Sequence, residues 1–332
     1  MEIFAPGYYK DFRCIAAACP DSCCKEWEVD VDAGSADYYR SLSGDLGQRL
    51  REVLQQTPGG WVMTIENGRC PMWRQDGLCR IQAELGHDAL CKTCRDFPRI
   101  SHDYGDFTEL GLELSCPEAA RLIFTASNYS MEQTHVEGAN EGDYDVAVMN
   151  TLRRSRNEAL SFLESSAYPL PKTLAVILLF AHHIQGEIDG GEEASLNADA
   201  LLNQIRTFPK NKDFVALFEF FGNLEILTER WKERLSQIPV SVSWPPELKA
   251  FARYLVQRYW LQAVSDYDLV CRAKLIVCAC ILVAALGGNA MHTAQLFSKE
   301  IENDPDNVNA ILDGAYTSPA LTDVNLFSLL LS

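Results

Sequence analysis

The sequence predicts a mainly α-helical protein, in which a cysteine-rich N-terminal domain with short helices and a small β-hairpin precedes an antiparallel helical domain. Two observations support this prediction. Nine of the twelve cysteines lie at or before Cys116, in a loop-rich part of the chain. The rest of the chain is a succession of apolar segments with helical spacing, separated by prolines and short loops. A polar stretch over residues 128–143 separates the two parts, so we predict domains over 1–128 and 129–332.

In the N-terminal domain, the spacing of apolar residues and the turn residues predict short elements. Helical spacing runs over residues 35–54 with an interruption near Gly44 and Gly47, and further helices are expected at 81–90 and 117–126. Pro117 suits the first turn of the last of these. Residues 61–65 are β-prone and precede Asn67-Gly68, which predicts a hairpin whose return strand is 69–73.

The C-terminal domain is expected to be helical almost throughout. The predicted helices cover residues 144–164, 174–185, 196–206, 213–235, 247–263, 269–286 and 290–301. The helix over 269–286 contains Cys271, Cys278 and Cys280, which we interpret as small residues of the core.

Composition excludes several classes of protein. The 332 residues are 47% hydrophobic and carry a formal net charge of −17, which is typical of a globular chain and leaves no basic surface for nucleic acid. The first residues lack the basic and apolar regions of a secretory signal. The longest apolar run, residues 275–286, is too short to span a bilayer. We therefore expect a cytoplasmic protein with no membrane and no nucleic-acid partner, whose oligomeric state the sequence does not indicate.

The early cysteines are the main functional signal. In a reducing compartment, clustered cysteines more often hold a metal or a redox centre than a disulfide framework. Cys91 and Cys94 are three positions apart, so one helical turn can direct both sulfurs to one ion. Thiolates suit zinc and iron–sulfur clusters. The candidate ligands are Cys14, Cys19, Cys23, Cys24, Cys70, Cys79, Cys91, Cys94 and Cys116, with His87 and His102 flanking them.

Spacing alone leaves the metal open. A zinc ribbon needs two C-x2-C pairs, and only one is present. The C-x3-C-x2-C motif of radical S-adenosylmethionine enzymes fails, because Glu26 stands at its third position after Cys23. A [4Fe–4S] cluster would use four thiolates and leave five for a second site, redox partners or the core. Cys116 precedes a helix, whose N-terminal dipole is expected to lower the pKa of its thiol.

The motifs resemble a known family. PGYYKDFRC, CPDSCCKEWEVDVD, GRCPMW, GLCRIQAELGHDALCKTCRDFPR and LELSCPEAARL, within residues 6–124, resemble the flagellin lysine-N-methylase (FliB) family. The cysteine-rich part is also similar to YkgJ-type metal-chelating domains, although its first two gaps are four and three residues instead of three and two. Cys23, Cys24, Cys70, Cys79 and Cys94 match that wider pattern best.

The resemblance implies S-adenosylmethionine-dependent N-methylation of lysines on flagellin, with a [4Fe–4S] cluster as the first choice of cofactor and zinc as the second. The glycine pairs of the sequence lack the flanking strand and helix of a Rossmann-type donor loop. Arg95 and Arg99 could contact the donor carboxylate or the charge of the cluster, or form structural ion pairs. The catalytic residues are unknown. Alternating acidic residues at Glu26, Glu28, Asp30 and Asp32 would form either a lysine-docking strand face or an ordinary solvated edge.

A function of a different class stays open. The chain could be a non-catalytic module that binds zinc or iron, or a redox sensor, with the helical domain serving for interaction. Transfer of a labelled methyl group would distinguish these alternatives from the enzyme.

Overall fold

The computed structural model describes residues 1–138, 141–205, 214–239 and 241–331, and in them it contains fifteen α-helices and seven strands. The mainly α-helical fold class is therefore confirmed. The strands are β1 (Glu2–Pro6), β2 (Val29–Val31), β3 (Leu54–Thr57), β4 (Gly60–Met63), β5 (Arg99–Asp103), β6 (Phe107–Leu112) and β7 (Met131–His135).

Five short helices lie in the cysteine-rich part and ten in the rest. They are α1 (Ala33–Ser41), α2 (Gly44–Val53), α3 (Arg80–Leu85), α4 (Lys92–Asp96), α5 (Pro117–Thr125), α6 (Val146–Ser165), α7 (Leu170–Ile188), α8 (Ala198–Ile205), α9 (Val215–Gly222), α10 (Glu229–Leu235), α11 (Leu248–Tyr259), α12 (Leu269–Leu286), α13 (Ala290–Phe297), α14 (Pro305–Thr317) and α15 (Asp323–Leu331). A π-helical turn, Ser298–Glu302, continues α13.

A four-stranded sheet with the order β5-β6-β1-β7 was not predicted. Its strand β1 runs parallel to β6 and antiparallel to β7. Strand β7 lies inside the stretch that we expected to be a linker. Its sequence, MEQTH, is polar and half-exposed, so only its pairing with β1 distinguishes it from a loop.

The second sheet corrects the predicted hairpin. The turn at Asn67-Gly68 is present, with φ of 52° and 72° and the backbones of Glu66 and Arg69 hydrogen-bonded to each other. The return strand over 69–73 is wrong, because β4 lies in the middle of the order β2-β4-β3 and has no free edge. Arg69 bridges Lys25 instead, and the hairpin of this part is formed by β3 and β4.

Several helix boundaries differ from the prediction for identifiable reasons. The predicted helix 81–90 ends early at Gly86, which has φ of 89°. The predicted helix 213–235 is two helices, α9 and α10. Between them the Asn307 side chain accepts the amide of Glu225, and the Glu300 carboxylate accepts those of residues 227 and 228. Helices α14 and α15 were missed, and the predicted ends at residues 206 and 213 lie outside the described residues.

Buried apolar side chains form two cores. The small core comprises fourteen residues between Val29 and Cys91, from β2, β3, β4, α1, α2, α3 and the loops between them. The large core surrounds α12 and includes Cys278 and Cys280, as predicted, and it extends to Phe12, Phe107 and Cys116. Cys271 is also buried on α12 but is not a member of this core. The boundary between 128 and 129 stays a prediction, and the two cores do not divide the chain at that point.

Helix α12 meets the length and composition of a membrane-spanning helix, but 94% of it is buried inside the protein. It packs against α7, α11 and α14. Its apolar character is explained by this central position in the large core.

Candidate metal and ligand site

The early cysteines gather around one cavity of about 680 Å³. Its walls include seven of the nine predicted ligands, namely Cys14, Cys19, Cys23, Cys24, Cys79, Cys94 and Cys116. The other two lie behind the wall in the small core: the Cys70 sulfur is 3.4 Å from the Met63 sulfur, and the Cys91 sulfur is 3.8 Å from the Asp30 carbonyl oxygen. Folding therefore brings together thiols that are up to a hundred residues apart.

Short helices place several of these thiols. Cys79, Cys91 and Cys116 are the residues directly before α3, α4 and α5, and Cys94 follows one turn into α4. Gly86 ends α3 and allows the chain to reverse before α4. The small core holds α3 and α4 through Ile81 and Leu90, so the cysteines are mounted on packed elements although their surroundings are loops.

Six thiols form what we call the inner group: Cys23, Cys24, Cys70, Cys79, Cys91 and Cys94. Hydrogen bonding with Cys24 and burial raise the pKa of the Cys23 thiol, while the hydrogen bond from Cys24 lowers the pKa of Cys70. Contact with Cys94 likewise lowers the pKa of Cys91. Neighbouring thiols thus share protons, because adjacent thiolates repel each other in the absence of a cation.

The remaining three, Cys14, Cys19 and Cys116, form an outer group. Burial raises the pKa of the Cys116 thiol to about 12, with smaller contributions from Cys19 and Cys14. The expectation of a lowered pKa at this helix N-terminus was wrong. The amides of residues 118 and 119 do favour the thiolate, but the cost of burying its charge is larger.

The donor set fits a thiophilic group in kind, because sulfur ligands suit zinc and iron–sulfur clusters. Over the ranges that the structure describes, no three or more His, Cys, Asp or Glu side chains are arranged to hold a metal ion as they stand. The assignment of the nine cysteines as ligands therefore stays a prediction. His87 lines the cavity with the thiols, whereas His102 lies at a separate, smaller cavity.

Arg95 and Arg99 both lie on the cavity wall. The Arg99 guanidinium stands 5.0 Å from the centre of the Phe12 ring, and Arg95 Nε is 3.8 Å from the carboxylate of Asp96. Both side chains are exposed, so N–H groups of each guanidinium can reach a ligand in the cavity. Arg13 and Lys25 add to the positive charge of the wall, which is notable in a chain of net charge −17.

Aromatic side chains form a further part of the cavity wall. Tyr9, Trp27, Trp73 and Phe97 line it together with Phe12, and they come from four separate segments. Nothing in the spacing of these residues indicates that they meet, because loops rather than one periodic element carry them.

The acidic strand face does not form as one surface. Strand β2 contains only Val29–Val31, and Glu26 has φ of 75° in a turn where its carboxylate contacts Lys299 at 2.6 Å. Asp32 is the N-cap of α1, and hydrogen bonds from the amides of Lys92 and Ser35 lower its pKa to about 2. Two of the four carboxylates are therefore engaged in holding the fold.

Comparison with known proteins gives the family. The chain is 31% identical over 130 residues to the flagellar biosynthetic protein FliU of Salmonella muenchen, a match that covers 37% of this chain and 77% of FliU. The chain belongs to the FliB family.

Two further relatives carry the name lysine-N-methylase. They come from Salmonella choleraesuis and Salmonella typhimurium, and each is 31% identical to this FliB-family chain over 130 residues. The match covers 32% of each, so the chain spans about a third of the length of these relatives. No family model matches the sequence, and no solved structure matches it.

Proposed function

We propose that this FliB-family protein is a protein-lysine N-methyltransferase that uses S-adenosylmethionine and acts on flagellin in the cytoplasm. The observation that carries the proposal is the cavity of about 680 Å³, whose wall contains cysteines, arginines and aromatic rings. The similarity of the chain to lysine-N-methylases gives this cavity its proposed role. A volume of this order suits a ligand the size of a nucleoside joined to an amino acid.

The residues of the cavity suit both reactants. Arg95 and Arg99 offer guanidinium groups for a carboxylate, and Tyr9, Trp27 and Trp73 offer faces for a base or for an alkyl ammonium. When bound, S-adenosylmethionine supplies an electrophilic methyl group. A lysine must be neutral to accept it, and the positive charge of Arg95 and Arg99 in the wall would favour the neutral amine over the ammonium.

We propose that the inner group holds a [4Fe–4S] cluster, with zinc as the alternative metal. Supporting this, Cys70 and Cys91 belong to the small core and Cys24, Cys79 and Cys94 pack against it, so five of the six thiols are fixed by one packed unit. These thiolates would hold the cluster by donating electron density to its iron, and this shared ligation would tie the loops together. As part of the same proposal, we assign the cysteine-rich part to the YkgJ-type metal-chelating domains.

The test is transfer of a labelled methyl group from S-adenosylmethionine to flagellin of the same host, under anaerobic conditions with a reconstituted cluster. We expect label on flagellin lysines with the wild type, and a loss of at least about tenfold with Cys23→Ser or Cys94→Ser. Cys278→Ser is the matched control, since Cys278 is buried in α12 and its sulfur contacts the Leu275 carbonyl oxygen at 3.3 Å, which a hydroxyl can also do.

Two outcomes would contradict parts of the proposal. Absence of label with a cluster-replete wild type would favour the non-catalytic metal-binding or redox-sensing module. A colourless protein with stoichiometric zinc and no iron would reject the iron–sulfur cluster while leaving methyl transfer to be judged by the label.

The donor-binding role of the arginines has a separate test. Arg95→Gln and Arg99→Gln are expected to raise KM for S-adenosylmethionine about tenfold with a smaller change in kcat, because a contact to the donor carboxylate is present before and during transfer. Arg74→Gln is the control, since Arg74 pairs with Asp76 at 2.7 Å and is not part of the cavity wall. Equal KM values in all three variants would place the donor carboxylate elsewhere.

A further inference from the structure

One buried lysine of the helical part contacts the cysteine loop. Lys299 lies in the π-helical turn after α13, and only 3% of its side chain is exposed. Its ammonium is 2.6 Å from the Glu26 carboxylate and 3.2 Å from that of Asp21, and it stands 4.9 Å from the centre of the Trp27 ring. All three partners belong to segment 19–27, which also carries Cys19, Cys23 and Cys24.

The charges of this contact depend on each other. A buried ammonium is costly unless it is paired, and here two carboxylates from one segment compensate it. Burial acts against the charge of Asp21, yet Lys299 and other hydrogen-bonding partners lower the pKa of this carboxyl below its ordinary value. Without Lys299, Glu26 would lose its lysine partner, and Asp21 would keep only the 3.5 Å pair with Lys25 of its own segment.

A neighbouring side chain reinforces the same docking. Gln295, one turn before Lys299, donates to the Ser115 carbonyl oxygen at 2.6 Å and contacts the Asp21 carboxylate at 3.4 Å. Ser115 directly precedes Cys116. The segment 295–299 therefore contacts both stretches of chain that carry the outer thiols Cys19 and Cys116.

We infer that Lys299 is a positioning residue, which from the C-terminal helical part fixes segment 19–27, and with it three cysteines, at the wall of the cavity. The contact lies between elements of the two cores, since α13 belongs to the large core and Trp27 packs against the small one. The inference holds whether or not the protein transfers methyl groups, because it concerns the placement of thiols and not their chemistry.

The test is site-resolved alkylation of the reduced, chelator-treated full-length protein, read by mass spectrometry. Lys299→Met is expected to accelerate alkylation of the half-buried Cys19 and Cys24 by about tenfold, because the local opening of the segment becomes easier. Cys23 is exposed in the folded protein and is therefore left out of the readout. Cys278, buried in α12, should stay protected and so reports on global unfolding. Lys299→Arg should restore most of the protection, since it keeps the charge.

Lys274→Met is the matched control. Lys274 is also a buried lysine, with its ammonium 3.2 Å from Asp323 and 2.9 Å from the Ala315 carbonyl oxygen, and it contacts neither cysteine segment. It should leave the alkylation rates of Cys19 and Cys24 at the wild-type values. Rates that are unchanged in Lys299→Met, or that rise in step with that of Cys278, would overturn the inference.

A second variant keeps the test decisive if Lys299→Met does not fold. Glu26→Gln removes the partner whose side chain is 37% exposed, so a smaller disturbance of the fold is expected. Cys19 and Cys24 should again be alkylated faster, by a few-fold, with Cys278 protected. No change in a folded Glu26→Gln protein would also contradict the positioning role.

Discussion

His102 is a residue whose charge state follows from its surroundings. It lies on β5 at a small cavity of about 30 Å³, near Glu109 and Arg258. Burial, and to a lesser degree the charge of Arg258, lowers the pKa of its imidazole. Its Nε2 atom has no hydrogen-bond partner within the described part of the chain. The folded protein therefore holds this imidazole neutral at a pH where an exposed histidine would be protonated.

This predicts a loss of stability in mild acid. Below the ordinary histidine pKa of about 6.5 the unfolded chain binds a proton that the folded chain does not, so the free energy of unfolding falls as pH decreases. Urea denaturation of the wild type and His102→Gln at pH 7.5 and 5.5 measures the effect. The variant should show a smaller decrease between these two pH values, and identical pH profiles would contradict the prediction.

At the residue level, the sequence pointed to the cysteines but not to the other residues that surround them in the structure. Cysteines are informative because, where disulfides are not expected, so many of them close together indicate a metal or redox site. Lys299 gave no such signal, since a lysine in a helical segment is usually exposed and only the packing of α13 buries it. Nor does any spacing in the sequence indicate that the aromatic residues of the cavity lie together, because separate loops carry them.

Gly47 lies in helix α2, where the helical backbone by itself could equally carry alanine. A Cβ atom on Gly47 would lie 2.1 Å from the Leu42 carbonyl oxygen, because the short link after α1 folds back against α2. Gly186, in α7, has open space at the equivalent position. Substitution of Gly186 therefore tests only the preference of a helix for alanine over glycine. Substitution of Gly47 also tests whether a Cβ atom fits beside Leu42.

We predict opposite effects of alanine at these two positions. Gly186→Ala should stabilise the protein by about 0.5–1 kcal/mol, the usual gain of alanine over glycine in a helix. Gly47→Ala should destabilise it by about 1–3 kcal/mol, because the backbone of Leu42 must move. Urea denaturation of both variants measures these differences, and a stabilised Gly47→Ala protein would show that the link relaxes freely.

At the level of elements, local patterns predicted helices better than strand pairing. Helix α12 was predicted with its observed bounds, because a long apolar run with a capping aspartate and a terminal glycine specifies them locally. The Asn67-Gly68 turn was also local and is present. The pairing of β4 was only half local, since β3 precedes it by a two-residue turn whereas β2, on its other edge, is distant in the sequence. Strand β7 depends entirely on such a distant partner.

At the scale of the whole molecule, the cavity lies between the two cores, because residues of both line it. Five of the six inner thiols belong to or pack against the small core, whereas Cys116 belongs to the large one. A core of fourteen buried residues provides much less apolar burial than the one around α12. The small core should therefore depend on additional links, which are the contacts of Lys299 and the cluster that we propose for the inner group.

Removal of the metal should accordingly affect one part of the molecule. Hydrogen exchange of the cluster-replete protein, before and after treatment with a chelator, is expected to show faster exchange of amides in β2, β3, β4, α3 and α4. Amides of α12 should keep their protection, because its burial in the large core does not involve the early thiols. Faster exchange in both regions would mean that the two cores unfold together. Unchanged exchange in both would mean that the small core is stable without a metal, and that the inner cysteines serve chemistry rather than folding.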